Sequence, residues 1–378
     1  MSRLNELIQQ YCPDGVEYKR LGDICKLARG TRVVKKDLSI NGAYPVYQNS
    51  LKPLGYYDQF NRAEETTFII CAGAAGDIGY SKVKFWSADD CFSVICPDTI
   101  SNRYVFYCLL SQQNRIYSQV RKASIPRLSH SAVEALYIPV PPLPVQEEIV
   151  RILDNFAELQ AELQAELQAE LQKRLQQYNY YRDKLLSFNE LNRGGQSVSV
   201  EWKKLGDVAD LGTGSHNTQD GLVEGQYPFY TRGSEILYLN DYDYDETAII
   251  TAGDGAGVGK VFHFVQGKYA LHQRAYRIVP NEKIMLARFV YYYIGATFYN
   301  YIMKSSVSSS VVSIRKPMMV NYPIPVPSLE EQQKIVDILD KFYALTTDIT
   351  AGLPAEIEAR RKQYEYYRDQ LLTFKQKA

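Results

Sequence analysis

The stretch Glu17-Tyr18-Lys19-Arg20-Leu21-Gly22-Asp23-Ile24 returns 184 residues later as Glu201-Trp202-Lys203-Lys204-Leu205-Gly206-Asp207-Val208. Two further blocks repeat downstream of it. Ile138-Pro139-Val140-Pro141, Gln146 and Ile149-Val150-Arg151-Ile152-Leu153-Asp154 reappear as Ile324-Pro325-Val326-Pro327, Gln332 and Ile335-Val336-Asp337-Ile338-Leu339-Asp340. Tyr178-Asn179-Tyr180-Tyr181-Arg182-Asp183 reappears as Tyr364-Glu365-Tyr366-Tyr367-Arg368-Asp369. Between these blocks the offset drifts, to 183 at Tyr44-Pro45 and Tyr227-Pro228 and to 180 at Ala72-Gly73 and Ala252-Gly253. The frame is duplicated and the contents are not, as expected of one scaffold presenting two different recognition surfaces.

With 378 residues, 46% hydrophobic and 23% charged, the chain is long enough for two units, each with its own core. All six cysteines lie within the first 108 residues without a CxxC pair, and there are only four histidines. Neither a disulfide framework nor a metal site is favoured, and a cytoplasmic setting is expected. The opening Met-Ser-Arg-Leu-Asn-Glu lacks an apolar h-region, and no 18-residue apolar run occurs, so no membrane role is expected.

Net charge is zero, but its distribution is uneven. From Thr99 to Val133 there is no acid, while Arg103, Arg115, Arg121, Lys122 and Arg127 are present. From Lys283 to Leu329 the same holds, with Lys283, Arg288, Lys304, Arg315 and Lys316. Either stretch alone reads as solvated surface charge; recurrence at corresponding places in both copies points to polyanion-facing surfaces.

No Gly or Pro interrupts Val145 to Phe188, and apolar Ile149, Ile152, Phe156, Leu159 and Leu163 follow helical spacing. Such a 44-residue helix reaches about 66 Å, longer than one globular core covers, so a partner helix is expected. The second copy supplies one: Ser328 with Glu331 forms a capping-box pattern, and periodicity continues from Ile335 through Leu372, with a break expected at Gly352 and Pro354. Glu-Leu-Gln-Ala repeats without error from Glu158 to Ala169. Each repeat turns about 400°, so its leucines drift by about 40° and hold no heptad seam. A helix needs no such pattern for stability; an ordinary solvated helix is one account of it, and the perfect repetition favours the other, a spacer whose repeat number can change.

The units read as mixed α and β. Thr67–Cys71 and Thr247–Thr251 look like buried strands that run into glycine-rich turns at Gly73–Gly76 and Gly253–Gly257. Candidate loops carry Arg29, Arg32, Lys35 and Lys36 in the first copy and His216 and Asn217 in the second. Tyr44-Pro45-Val46-Tyr47 is followed by Gln48-Asn49, whereas Tyr227-Pro228-Phe229-Tyr230 is followed by Thr231-Arg232. Amides favour adenine edges and arginine favours guanine, so matching frames carry different reading groups. For any one of these residues a turn or cap role is an equal alternative. The glycines at 253–259 match neither the dinucleotide fingerprint nor the P-loop, the histidines lack ligand spacing, and no complete catalytic constellation is present.

At these repeated blocks the chain resembles the specificity subunit of type I restriction-modification enzymes, over nearly its whole length. The resemblance is carried by Leu-Gly-Asp-Ile/Val, the Ile-Pro-Val-Pro exit with its Gln and Ile-Val-x-Ile-Leu-Asp helix, and Tyr-Tyr-Arg-Asp, in the same order twice, together with the tetrapeptide spacer of the first copy. It implies an α+β chain with two target recognition domains (1–142 and 191–327) joined by two long antiparallel coiled-coil helices (143–190 and 328–378). It implies double-stranded DNA, two adenine methyltransferase subunits and two restriction subunits as partners. S-adenosylmethionine, ATP and Mg belong to those partners, and this chain is expected to bind no cofactor itself. Each domain would read one part of a bipartite, asymmetric site. The family varies most in its reading loops, so the candidate DNA-binding residues rest on charge and loop position alone. A stand-alone DNA-modifying enzyme or a coiled-coil scaffold are the alternatives. Leu4-Asn5-Glu6-Leu7 also matches Phe188-Asn189-Glu190-Leu191, so the chain's end is expected to return to its start.

Overall fold

The computed structural model describes residues 2–39, 41–188, 200–305, 313–347 and 352–377. The chain divides into two compact units, Met1–Glu166 with Ile357–Ala378, and Leu167–Glu356. Unit 1 begins with α1 (Arg3–Tyr11), β1 (Tyr18–Arg20), the single turn α2 (Leu21–Ile24) and β2 (Lys26–Arg29). There follow β3 (Tyr44–Tyr47), β4 (Gly55–Tyr57), β5 (Thr66–Ile70), β6 (Ile78–Ser81), β7 (Trp86–Ser87) and β8 (Cys91–Ile95). Then come α3 (Asn102–Ser111), α4 (Gln113–Ser118), α5 (His130–Glu134), β9 (Tyr137–Pro139) and the long α6 (Leu143–Leu186). Unit 2 repeats the plan with β10 (Glu201–Lys204), α7 (Leu205–Val208), β11 (Ala209–Thr213), β12 (Tyr227–Tyr230), β13 (Ile236–Leu239), β14 (Tyr244–Ala252), β15 (Phe262–Leu271) and β16 (Ala275–Pro280). It closes with α8 (Ala287–Ser305), α9 (Lys316–Val320), β17 (Pro323–Val326), α10 (Leu329–Thr347) and α11 (Leu353–Leu371), the last passing into unit 1 at Ile357.

The repeated words mark where backbone approaches backbone. Leu21 and Leu205 are fully buried, and their N–H groups donate to Leu136 O and Tyr322 O at 2.7 and 2.8 Å. A Cβ on Gly22 would stand 2.8 Å from Glu134 Cβ, and one on Gly206 would stand 2.8 Å from Val320 Cγ1. The Leu-Gly pair therefore lets α2 lie against α5 and α7 against α9. The Ile-Pro-Val-Pro block forms β9 and β17, antiparallel to β1 and β10, the entry strands of each unit.

The central strand of each unit carries a buried, mostly apolar run, Phe68–Ile70 in β5 and Ala248–Ala252 in β14, because both faces are covered there. β5 is buried at every residue and lies between β8 and β6; β14 lies between β16 and β15. In unit 2 the six strands form one sheet, β11-β16-β14-β15-β12-β13. Unit 1 divides the same plan into β2-β8-β5-β6 and β4-β3-β7, because the stretch matching the single strand β15 is broken into β6 and β7. The parallel contacts correspond, Val46 facing Trp86 and Phe229 facing Ala270.

Register corrects one equivalence read from sequence. Ile70 faces Cys91 as Ala252 faces Ala275, so Cys71 matches Gly253 and Ala72 matches Asp254. The two Ala-Gly dipeptides are thus not equivalent; the hydrogen bonds Leu128 N–H to Cys71 O and Ile314 N–H to Gly253 O agree.

α6 buries Val145, Ile149 and Leu153 in the core of unit 1 and Leu186 in that of unit 2, with nothing buried from Asp154 to Leu185. Within unit 2, Tyr181 stacks against Phe342 of α10 and Tyr178 meets the same ring at a tilt. α10 ends at Thr347 and α11 starts at Leu353, with Pro354 in its first turn, where a missing N–H costs nothing. Ser328 Oγ accepts the Glu331 N–H at 3.2 Å and caps α10. The end of the chain returns to its start: Val16 N–H donates to Lys375 O at 2.8 Å and Lys377 N–H to Val16 O at 3.0 Å. The counterpart of Leu4–Leu7 lies, from Asn189 on, outside the described residues. No described helix is long and apolar enough to cross a membrane.

Candidate nucleic-acid interface

In unit 1 the loops at the ends of β2, β3, β5 and β8 meet the segment after α4. Gly73, at φ +84°, lies so close to Asn49 that a Cβ would sit 2.9 Å from Asn49 Cβ and O, and Ala74 N–H donates to Asn49 O at 3.0 Å. Gly73 N–H donates to Pro126 O at 3.2 Å, and Arg121 and Arg127 exchange backbone hydrogen bonds at 2.8 and 3.2 Å. Cys71 N–H donates to Asp90 O, and Arg29 Nε to Asp89 O at 3.0 Å.

Arg29, Gln48, Asn49, Arg121, Lys122 and Arg127 therefore share one loop cluster. Arg29, Asn49, Arg121, Lys122 and Arg127 are exposed and Gln48 is half-buried. Arg121, Lys122 and Arg127 have no ion-pair partner among the described residues. Arg32 and Lys36 are exposed on the stretch after β2, and Lys35 opens the turn Lys35–Asp37.

Unit 2 builds the corresponding edge with other side chains. Asp243 fastens the loop after β11, accepting from Ser215 Oγ at 2.8 Å and Leu271 N–H at 2.7 Å, with His216 Nε2 at 3.4 Å. Gln273 N–H donates to His216 O at 2.9 Å, and its side-chain amide donates to Asn217 Oδ1. Asp254 carries two arginines, Arg232 Nη1 on Oδ1 at 2.9 Å and Arg274 Nη1 on Oδ2 at 3.0 Å. Burial raises the Asp254 carboxyl, but the hydrogen bonds and charges of Arg232 and Arg274 outweigh it and hold it below the usual carboxylate range. Burial depresses His272, with the nearby Arg232 charge adding to it; its Nδ1 accepts the Arg274 N–H at 2.9 Å, which requires the neutral ring.

His216, Asn217 and Arg232 thus meet at one edge. Thr231 is buried there and its hydroxyl accepts the Gly233 N–H, a turn role. Arg315 and Lys316 are exposed directly after Ser313 and Ile314, which are joined to Asp254 and Gly253 by backbone. Lys304 is exposed near the end of α8; residues 306–312, which separate it from Arg315, lie outside the described residues.

Two arginines of the acid-free stretches are paired and packed inside their own units. Arg103 pairs with Asp154 at 2.7 Å beneath the rings of Tyr80, Phe106 and Tyr107, and Arg288 pairs with Asp340 at 2.8 Å against Phe264, Tyr291 and Tyr292. The aspartates come from the repeated Ile-Val-x-Ile-Leu-Asp block, so both pairs tie that helix to its unit. Conversely, sequence reading missed Asp254, Gln273 and Arg274. No residue identity flags them; only the strand register sets Gln273 and Arg274 against Asp89 and Asp90.

The family of type I restriction modification DNA specificity domains matches this chain twice, over residues 13–173 and 198–359. The EcoR124I/EcoR124II specificity subunit of Escherichia coli is 33% identical, with 99% of this chain and 97% of that protein covered. Among solved structures, a chain of a type I restriction-modification assembly overlays with a TM-score of 0.60 at 16% identity, covering 96% of this chain and 98% of that one. The type I S subunit from M. genitalium overlays at 0.53 with 18% identity, covering 95% and 96%. With both repeats inside the family's domain and a relative matched over almost its full length, this chain belongs to the type I restriction-modification DNA specificity family.

Proposed function

We propose that this chain is the non-catalytic DNA-recognition subunit of a type I restriction-modification system, each unit reading one part of a bipartite, asymmetric site. The observation that carries the reading is a retained frame with exchanged contents. Tyr47 O and Tyr230 O accept the N–H of Ala88 and His272 at 2.9 and 3.0 Å, while the loop residues at equivalent positions change from Asn49, Ala72 and Asp90 to Arg232, Asp254 and Arg274. A scaffold alone would not need different polar groups on equivalent loop tips.

Two adenine methyltransferase subunits, and two restriction subunits in the full enzyme, complete the system and carry S-adenosylmethionine, ATP and Mg. The helices α6, α10 and α11 set the spacer and dock the methyltransferases. The purified chain should neither methylate nor cleave DNA, and adenine methylation of a split motif should appear once its methyltransferase is added. Methylation by the chain alone, or a partnered complex that marks an uninterrupted motif, would refute this function.

A further inference from the structure

We propose that Arg274, held in place by Asp254, is a guanine-reading side chain of unit 2, with Arg232 on the same carboxylate completing the reading group. This rests on the DNA-recognition function above. Arg274 and Arg232 project from different loops, with side chains 64% and 41% exposed, and converge on a carboxylate that is 19% exposed. An exposed pair of this kind adds little to stability. Its consequence is orientation: Asp254 engages one terminal nitrogen of each guanidinium and leaves the other N–H groups to make the fork that matches guanine O6 and N7. The backbone of Arg274 is also secured on both sides, its N–H on His272 Nδ1 at 2.9 Å and its carbonyl accepting the Gly253 N–H at 2.8 Å. A reading group already fixed in the free protein gives up less freedom on binding.

The internal repeat separates base contacts from phosphate contacts. Phosphates are alike at both half-sites, so a residue that only grips the backbone has no reason to reverse its charge between the copies. In the shared strand register Arg274 stands where unit 1 has Asp90, Asp254 where it has Ala72, and Arg232 where it has Asn49. The frame hydrogen bonds persist, as Cys71 N–H to Asp90 O and Gly253 N–H to Arg274 O, at 2.7 and 2.8 Å. A position that is arginine in one copy and aspartate in the other, on the same backbone, is one whose target differs, and bases are what differ. Beside it, the amides of Asn217 and Gln273 extend the row with the chemistry that suits adenine.

The test is to express the chain with its methyltransferase in a host lacking both and to map genomic adenine methylation for wild type, R274A, R274K, D254N and, as a marker of the unit 1 half, N49A. The wild-type motif should contain a required G·C pair in the half that N49A leaves untouched. R274A and R274K should relax that pair, reducing discrimination there roughly tenfold to hundredfold; D254N should relax the same pair by less. R274K keeps the charge but loses the fork, so it separates base reading from attraction to phosphate. An unchanged motif in R274A and R274K, a weakening uniform across sequences, loss of all methylation by a folded R274K complex, or relaxation in the half altered by N49A overturns the assignment. A wild-type complex that marks no bipartite motif instead overturns the DNA-recognition function beneath it.

Discussion

Gln146 and Gln332 illustrate how a repeated polar residue acts. Each is completely buried in the first turn of its helix. Gln146 accepts the Ser101 N–H at 2.9 Å and donates to Pro141 O and Thr99 O at 2.7 and 3.3 Å. Gln332 repeats the set with Leu286 N–H, Pro327 O and Ile284 O at 2.7, 2.8 and 2.9 Å. One amide thus satisfies a helix start, a strand exit and the loop before α3 or α8. Gln146→Leu, nearly isosteric, leaves those backbone groups unpaired in the core and should cost roughly 2–4 kcal/mol in urea unfolding. A loss below about 0.5 kcal/mol, the range of ordinary surface changes, would contradict it. His272 supplies a pH dependence. Its folded pKa lies below the ordinary 6.5, so the unfolded chain binds more protons in the window beneath 6.5. Its contribution is therefore complete above 6.5 and declines as pH falls towards the depressed folded value. Around the ring, Arg232 and Arg274 oppose its protonation while Asp254 and Asp220 favour it. His263, also depressed, adds to the same slope. Thermal melts between about pH 7 and 5 should show falling stability, and H272N should flatten that fall; an unchanged slope in H272N excludes this residue as its source.

At the level of elements, α6 is an unusual helix: 44 residues long, with its buried positions at the ends. The Glu-Leu-Gln-Ala run occupies the part where nothing is buried, and Leu159 is 62% exposed. The unit boundary, between Glu166 and Leu167, falls inside the run. Leucines that rotate by about 40° per repeat cannot hold one packing seam, so the number of repeats is free to vary without removing a core residue. Each repeat adds about 6 Å of helix against about 3.4 Å of rise per DNA base pair. Deleting Glu162–Ala165 should leave both half-site sequences intact and shorten the unspecified gap between them by about one base pair. Methylome sequencing of the deletion strain measures this, and an unchanged gap or altered half-site bases would end the spacer reading.

For the whole molecule, the duplicated frame makes independence of the two readers testable. Replacing Arg121, Lys122 and Arg127 by alanine should weaken DNA binding by the assembled complex and lower its salt dependence, by about one in slope for each phosphate left without its cation. Base preference at the half-site read by unit 2 should survive. Salt titrations with duplexes carrying changes in one half or the other report both quantities; equal loss of preference at the two halves would show that the units do not read separately.

The sequence by itself determined the duplication, the central strands, the long helix and the family, because each is written in local periodicity or in words repeated in order. It also placed Asn49 and Arg232 at equivalent loops, since loops after identical strand motifs must emerge at identical places: the two follow matching strands and occupy matching positions. What only the tertiary structure decided was partnership. Arg103 and Arg121 look alike in an acid-free stretch, yet Arg103 is closed by Asp154, 51 residues away, while Arg121 is open to solvent. Arg232, Asp254 and Arg274 lie 22 and 20 residues apart and carry no shared motif, and they become one group because β14 pairs with β16 in a register that composition does not encode. Charge is local to a residue, whereas its availability depends on which distant segment the fold brings against it.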